Sequence, residues 1–159
     1  MAVAAEPEGT QTFTDLERTH VDTPVDYPQT PPVGGPHNPV WQTCGFYDVE
    51  FPKERGVHSM EHGAVWITYR PDLPADQVEP LEALTVDEPF LLISPWADDS
   101  LPSPVVLSAW GRQLGVDSAD DPAVVAFMDA FAQGPQTPEP GAPCTGGVGE
   151  PGSVSRAPV

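Results

Sequence analysis

Between residues 45 and 134 the apolar positions alternate between two kinds of spacing. The stretches GFYDVEF (45–51) and GAVWITYR (63–70) are β-branched and aromatic, bounded by glycine or proline, and of strand length. In ADQVEPLEALTV (75–86), Val78, Leu81 and Leu84 recur at helical spacing, with Pro80 shortening or kinking the helix. PFLLISPW (89–96) and SPVVLSAWG (103–111) are continuous apolar runs of the kind buried on both faces of a sheet. SADDPAVVAFMDAFAQG (118–134) opens with acidic residues and a proline and ends on Gly134, the marks of a helix carrying Val124, Val125, Phe127, Met128 and Phe131. The order strand, strand, helix, strand, strand, helix predicts an α+β domain. Its sheet is expected to be small, four-stranded and mostly antiparallel, with two helices on one face.

Composition adds the outskirts of this picture. The 159 residues, 39% apolar, suffice for one modest core. The 22 prolines and 14 glycines crowd into both ends, predicting long Pro/Gly-rich N- and C-terminal arms. Residues 1–19 read as a flexible tether, 20–150 as a single domain and 151–159 as a disordered tail. Within the N-terminal arm, Val21, Val25, Tyr27, Val33 and Trp41 supply apolar anchors between prolines, so this segment is expected to lie over the core.

Charge excludes several partners. Six basic residues against 24 acidic ones give a formal charge of −18, which repels nucleic-acid phosphates and anionic membrane surfaces. No stretch of about twenty apolar residues is present to span a bilayer. Cys44 and Cys144, each beside glycine or proline in a surface-like segment, read most simply as one disulfide holding the C-terminal arm on the domain. A disulfide implies an extracytoplasmic location; the alternative is two unpaired thiols.

The candidate chemistry is histidine. All four, His20, His37, His58 and His62, lie in the first 62 residues, and imidazole is the commonest ligand for zinc, copper and nickel. In VHSMEHG (57–63) the pair His58 and His62 stands four residues apart. On a helical turn such residues share a face and can share a metal, whereas on a straight strand they would lie about 13 Å apart. Gly63 suits the left-handed conformation that ends such a turn. His37, in the glycine-flexed VGGPHNPVW, and His20, at the head of the proline-rich arm, are the further candidates.

Glu61 does not stand where the zinc-protease HExxH places its base, and is expected to orient a ligand from outside the donor set. Met60 is either an additional ligand, which would favour copper, or a core side chain. Copper is therefore the expected metal and zinc the alternative, the latter with a three-histidine hydrolase in view. The rival to a metal site is an interaction module of the cell envelope whose histidines are structural. No G-x-S-x-G, Walker or G-x-G-x-x-G pattern is present, and the cysteines form no C-x-x-C.

The combination VDYPQTPPVGGPHNPVWQTCGFY, VHSMEHGAVWITYRPDLP, SAWGRQL and PEPGAPCTGG resembles the domain of unknown function 3105 family, over roughly residues 19–150. The resemblance implies a secreted or membrane-tethered actinobacterial protein, here a soluble domain without the family's N-terminal membrane helix, and a shared histidine-rich site. Family members carry leucine at the position of Met60, which moves the weight to imidazoles. No activity is implied.

Overall fold

A computed structural model describes residues 6–151. Its elements in chain order are β1 (Gln11–Thr12), β2 (Gly45–Phe46), α1 (Lys53–Glu61), β3 (Val65–Tyr69), α2 (Ala75–Leu84), β4 (Leu91–Pro95), β5 (Val105–Ala109), β6 (Arg112–Val116) and α3 (Pro122–Phe131). The class is α+β, but the sheet departs from the sequence expectation. It has six strands in the order β1-β6-β5-β3-β4-β2 and is mixed: β2, β4 and β3 are mutually parallel, the other pairs antiparallel.

The physical reason is α2. A ten-residue helix between β3 and β4 makes a crossover, which returns the chain parallel to itself, while a tight turn at Trp110-Gly111 makes β5 and β6 an antiparallel hairpin. Strand β6 escapes the apolar pattern because Arg112, Gln113 and Gly115 interrupt it, and β1 is two exposed residues that no pattern marks.

The helices also number three among the described residues and lie on both faces, not one. Along β3 the side chains alternate: Val65, Ile67 and Tyr69 join the cluster covered by α2 and α3, with Leu81, Phe127 and Phe131. Trp66 faces the other way, with Val57 and Met60 of α1, Leu92 and Trp110. Gly56 is what lets α1 approach, since a Cβ there would stand 2.7–3.0 Å from the Trp66 ring.

Helix α1 is polar yet buried. Glu54, Gly56, Val57, His58, Ser59, Met60 and Glu61 are all buried, so its polar groups need partners from the chain wrapped around it. The arms provide them. Residues 6–19, expected as a tether, run beside β6, where Phe13 N–H donates to the Gly111 carbonyl at 2.9 Å. Val25 N–H donates to Glu54 Oε2 at 2.8 Å, and Gln42 N–H donates to Ser59 Oγ at 3.1 Å. From the other end, Cys144 is bonded to Cys44 across 100 residues of sequence, and Glu139 N–H donates to the Glu61 carbonyl at 3.0 Å. The tail expected at 151–159 lies, beyond residue 151, outside the described residues.

Two outcomes follow. Replacing both cysteines by serine is expected to lower the unfolding free energy by about 2–5 kcal/mol, the range for a bridge that closes a long loop, measured by urea denaturation without reductant. Burial pushes the Glu54 carboxyl up, but the N–H groups of Val25 and Glu54 itself and the Lys53 ammonium outweigh it and hold the group below its ordinary value. A depressed folded value gives stability that is complete above the unfolded value and is lost as the pH falls through the folded one. Glu54→Gln is therefore expected to cost about 1 kcal/mol at neutral pH and nothing in strong acid, read from the same denaturation series.

Candidate metal centre

The histidine pair is carried by a helix. His58 is in the last turn of α1 and His62 is its C-terminal cap, one turn on, so the two Nε2 atoms stand 3.0 Å apart. Gly63 follows with φ +106°, turning the chain from the helix into β3. Around the end of α1 the arms bring in the rest. His20 and His37 sit side by side in a parallel bridge, with Val21 N–H donating to the His37 carbonyl at 2.7 Å and His37 N–H to the Thr19 carbonyl at 2.9 Å. Their rings pack against His58, with centroids at 5.2 Å for His20 and 4.9 Å for His37.

Three of the four imidazoles are held in the same way. His37 Nδ1 meets the Gly35 carbonyl at 2.8 Å, His58 Nδ1 the Asn38 carbonyl at 2.7 Å and His62 Nδ1 the Pro143 carbonyl at 2.7 Å. A carbonyl only accepts, so each Nδ1 carries the hydrogen, and Nε2 is the ring atom left to meet a cation or, as on His37, to donate to a carboxylate. This is how proteins orient histidine toward a cation.

The inward atoms meet a carboxylate. Glu61 Oε1 is 3.1 Å from His37 Nε2 and 3.9 Å from His58 Nε2. Its other oxygen, Oε2, accepts from Arg18 Nε at 2.9 Å. Arg18 also reaches Glu139 Oε2 at 3.1 Å, and Glu139 Oε1 stands 3.5 Å from His62 Nε2. Burial pushes the Glu61 carboxyl up, yet the hydrogen bonds from His37 and Arg18 prevail and hold it at about 2, so it is an anion at neutral pH. Burial lowers the His58 value, and the neighbouring His62 and His37 lower it further against the pull of the Asn38 carbonyl and Glu61.

One donor atom each from His20, His37, His58 and Glu61 all lie within 4.8 Å of one another, and Glu61, His62 and Glu139 form a second such group. An ion held tetrahedrally at about 2.1 Å sets its donors roughly 3.4 Å apart, between the 3.1 and 3.9 Å that separate Glu61 Oε1 from His37 and His58 Nε2. This cluster, buried at His37, His58 and Glu61 and exposed at His20, could hold a metal ion. Trp41 lies against the His58 and His62 rings at 5.7 and 5.0 Å, and Trp110 against His37 at 6.1 Å, lining the flanks with apolar surface.

Each sequence candidate can now be placed. His20, His37 and His58 converge; His62 is adjacent, in contact with His58 but in the second group. Glu61 is itself among the donors, because three residues on from His58 it shares that face of the helix. Met60, two residues on, turns the opposite way and is fully buried with Val57, Trp66, Leu92 and Trp110. Cys44 and Cys144 form the expected disulfide. Arg18 and Glu139 were not anticipated; the one available signal was that arginine is scarce in so acidic a chain.

The family model described as Protein of unknown function (DUF3105) matches residues 19–146. The chain belongs to this family. The match takes in all four histidines, Glu61, Glu139 and both cysteines, and stops one residue short of Arg18. Neither a curated protein nor a solved structure matches the chain.

The turn at Gly63 gives a test of how the centre is held. A Cβ there would meet the Gln133 side chain, which donates to the His62 carbonyl, and the backbone at Gln133 Cα, 3.2 Å away, in a φ region unfavourable to other residues. Gly63→Ala is expected to destabilise the protein by about 1–3 kcal/mol in thermal unfolding.

Proposed function

We propose that this protein is an extracytoplasmic metal-binding protein in which one divalent transition ion is held by His20, His37, His58 and Glu61. The observation that carries this reading is the set of Nδ1–H groups tied to backbone carbonyls, which turns Nε2 of His37 and of His58 toward the anionic Glu61 carboxylate inside the fold. A metal ion would take the place of the proton between His37 Nε2 and Glu61 Oε1.

Copper is the metal of this proposal and zinc the alternative. Imidazole and carboxylate donors follow the general order of divalent affinities, in which Cu(II) binds most tightly, and the buried disulfide is consistent with an oxidising compartment where that state persists. With Met60 turned away, the argument for copper rests on imidazole alone. The role would be binding, delivery or redox support; no group in the centre argues for a particular reaction. No helix among the described residues is long and apolar enough to cross a membrane.

The decisive experiment is elemental analysis of protein prepared without a polyhistidine tag, with Cu(II) EPR. One tightly held ion is expected, with nitrogen hyperfine structure if it is copper and no signal if it is zinc. His37→Ala with His58→Ala is expected to abolish it, and Glu61→Gln to weaken it at least about tenfold. Retention of stoichiometric metal by the double variant would make the histidines structural and sink the reading.

A further inference from the structure

The single-ion reading leaves one buried histidine unused. His62 is only 4% exposed, its Nδ1 is held by the Pro143 carbonyl, and its Nε2 is turned inward like the others, yet it stands outside the group formed by His20, His37, His58 and Glu61. Its own group is Glu61 and Glu139, with one donor atom each inside 4.8 Å. Glu61 is therefore common to two neighbouring sets of donors.

We infer that the centre has a second cation position, formed by His62, Glu139 and a shared Glu61, so that the fully loaded site is a carboxylate-bridged pair of divalent ions. The inference rests on the metal-binding reading above. The contact between His58 and His62 supports it. His58 and His62 bring their Nε2 atoms to 3.0 Å while both Nδ1 atoms sit on backbone carbonyls, so each ring offers its Nε2 to a cation on its own side. Paired ions in proteins lie about 3.5–4 Å apart, a spacing that two donor sets meeting at one carboxylate can accommodate.

Arg18 shapes the second position. Its guanidinium takes Oε2 of both Glu61 and Glu139, which leaves Oε1 of Glu61 turned toward His37 and Oε1 of Glu139 toward His62. It also places a fixed positive charge beside the second ion. The first ion, among three imidazoles and Glu61, is therefore the tighter of the two. Glu139 is 44% exposed, so the second position opens toward solvent and exchanges more readily.

The test is a titration of the untagged, chelator-treated protein with Cu(II), following bound metal by equilibrium dialysis and spin state by EPR. The expected course is one isolated spectrum up to the first equivalent. Broadening and loss of integrated intensity should follow as a second ion binds close enough to couple. Glu139→Gln, at a half-exposed position, and His62→Asn are each expected to stop binding at one ion with the isolated spectrum intact. Saturation of the parent protein at one ion overturns the second position and leaves the single-ion centre standing. Undiminished second-ion binding in both variants overturns the assignment of its donors. No binding at all overturns both readings.

Discussion

The structure turns on one carboxylate. Glu61 receives His37 on one oxygen and Arg18 on the other, while its backbone carbonyl receives the N–H of Glu139. Through these contacts the N-terminal arm, the glycine-rich loop, helix α1 and the C-terminal arm meet at a single residue that is 1% exposed. An anion this deep is tolerated only with charged and hydrogen-bonding partners, so the surrounding segments are held to it by the cost of leaving it alone. The arms are thereby drawn into the folded unit, and the polar faces of α1 are covered by chain in place of solvent.

This explains the division of labour between the two sides of the sheet. The α2 and α3 side is a conventional apolar core in which Ile67, Leu91, Ile93, Leu107 and Phe127 are fully buried. The α1 side mixes Trp66, Met60 and Trp110 with Ser59 and three histidines, satisfied by backbone carbonyls from loops, and with Glu61, satisfied by Arg18 and His37. Ligands of open α/β sheets commonly bind beyond the carboxyl ends of parallel strands. Here the cluster gathers at the other end, where α1 gives way to β3 and the β5–β6 turn brings Trp110.

What could be read in the sequence followed from apolar content. Strands β3, β4 and β5 and helix α3 announce themselves by β-branched runs or helical spacing, and each is found within its expected segment. Helix α1 is different: in KERGVHSME only Val57 and Met60 are apolar, so periodicity carried no signal for a helix buried by polar contacts. The histidines stood out by type and crowding, and the i, i+4 interval was informative once the segment proved helical. The position of Glu61 among the donors followed from that same helix, through its three-residue spacing from His58. Arg18 and Glu139, 121 residues apart, join through a tertiary contact that no local pattern encodes.

The disposition of the arms fixes when the centre can exist. Arg18 precedes Glu139 by 121 residues, yet the two meet beside α1, where the Pro143 carbonyl also holds His62. Contacts of such long sequence separation form late, after the local βαβ unit and hairpin have had every opportunity to fold. A nascent chain thus carries its histidines long before it carries the groups that aim them. Completion of the centre consequently waits for the segment that carries Glu139 and the Pro143 carbonyl.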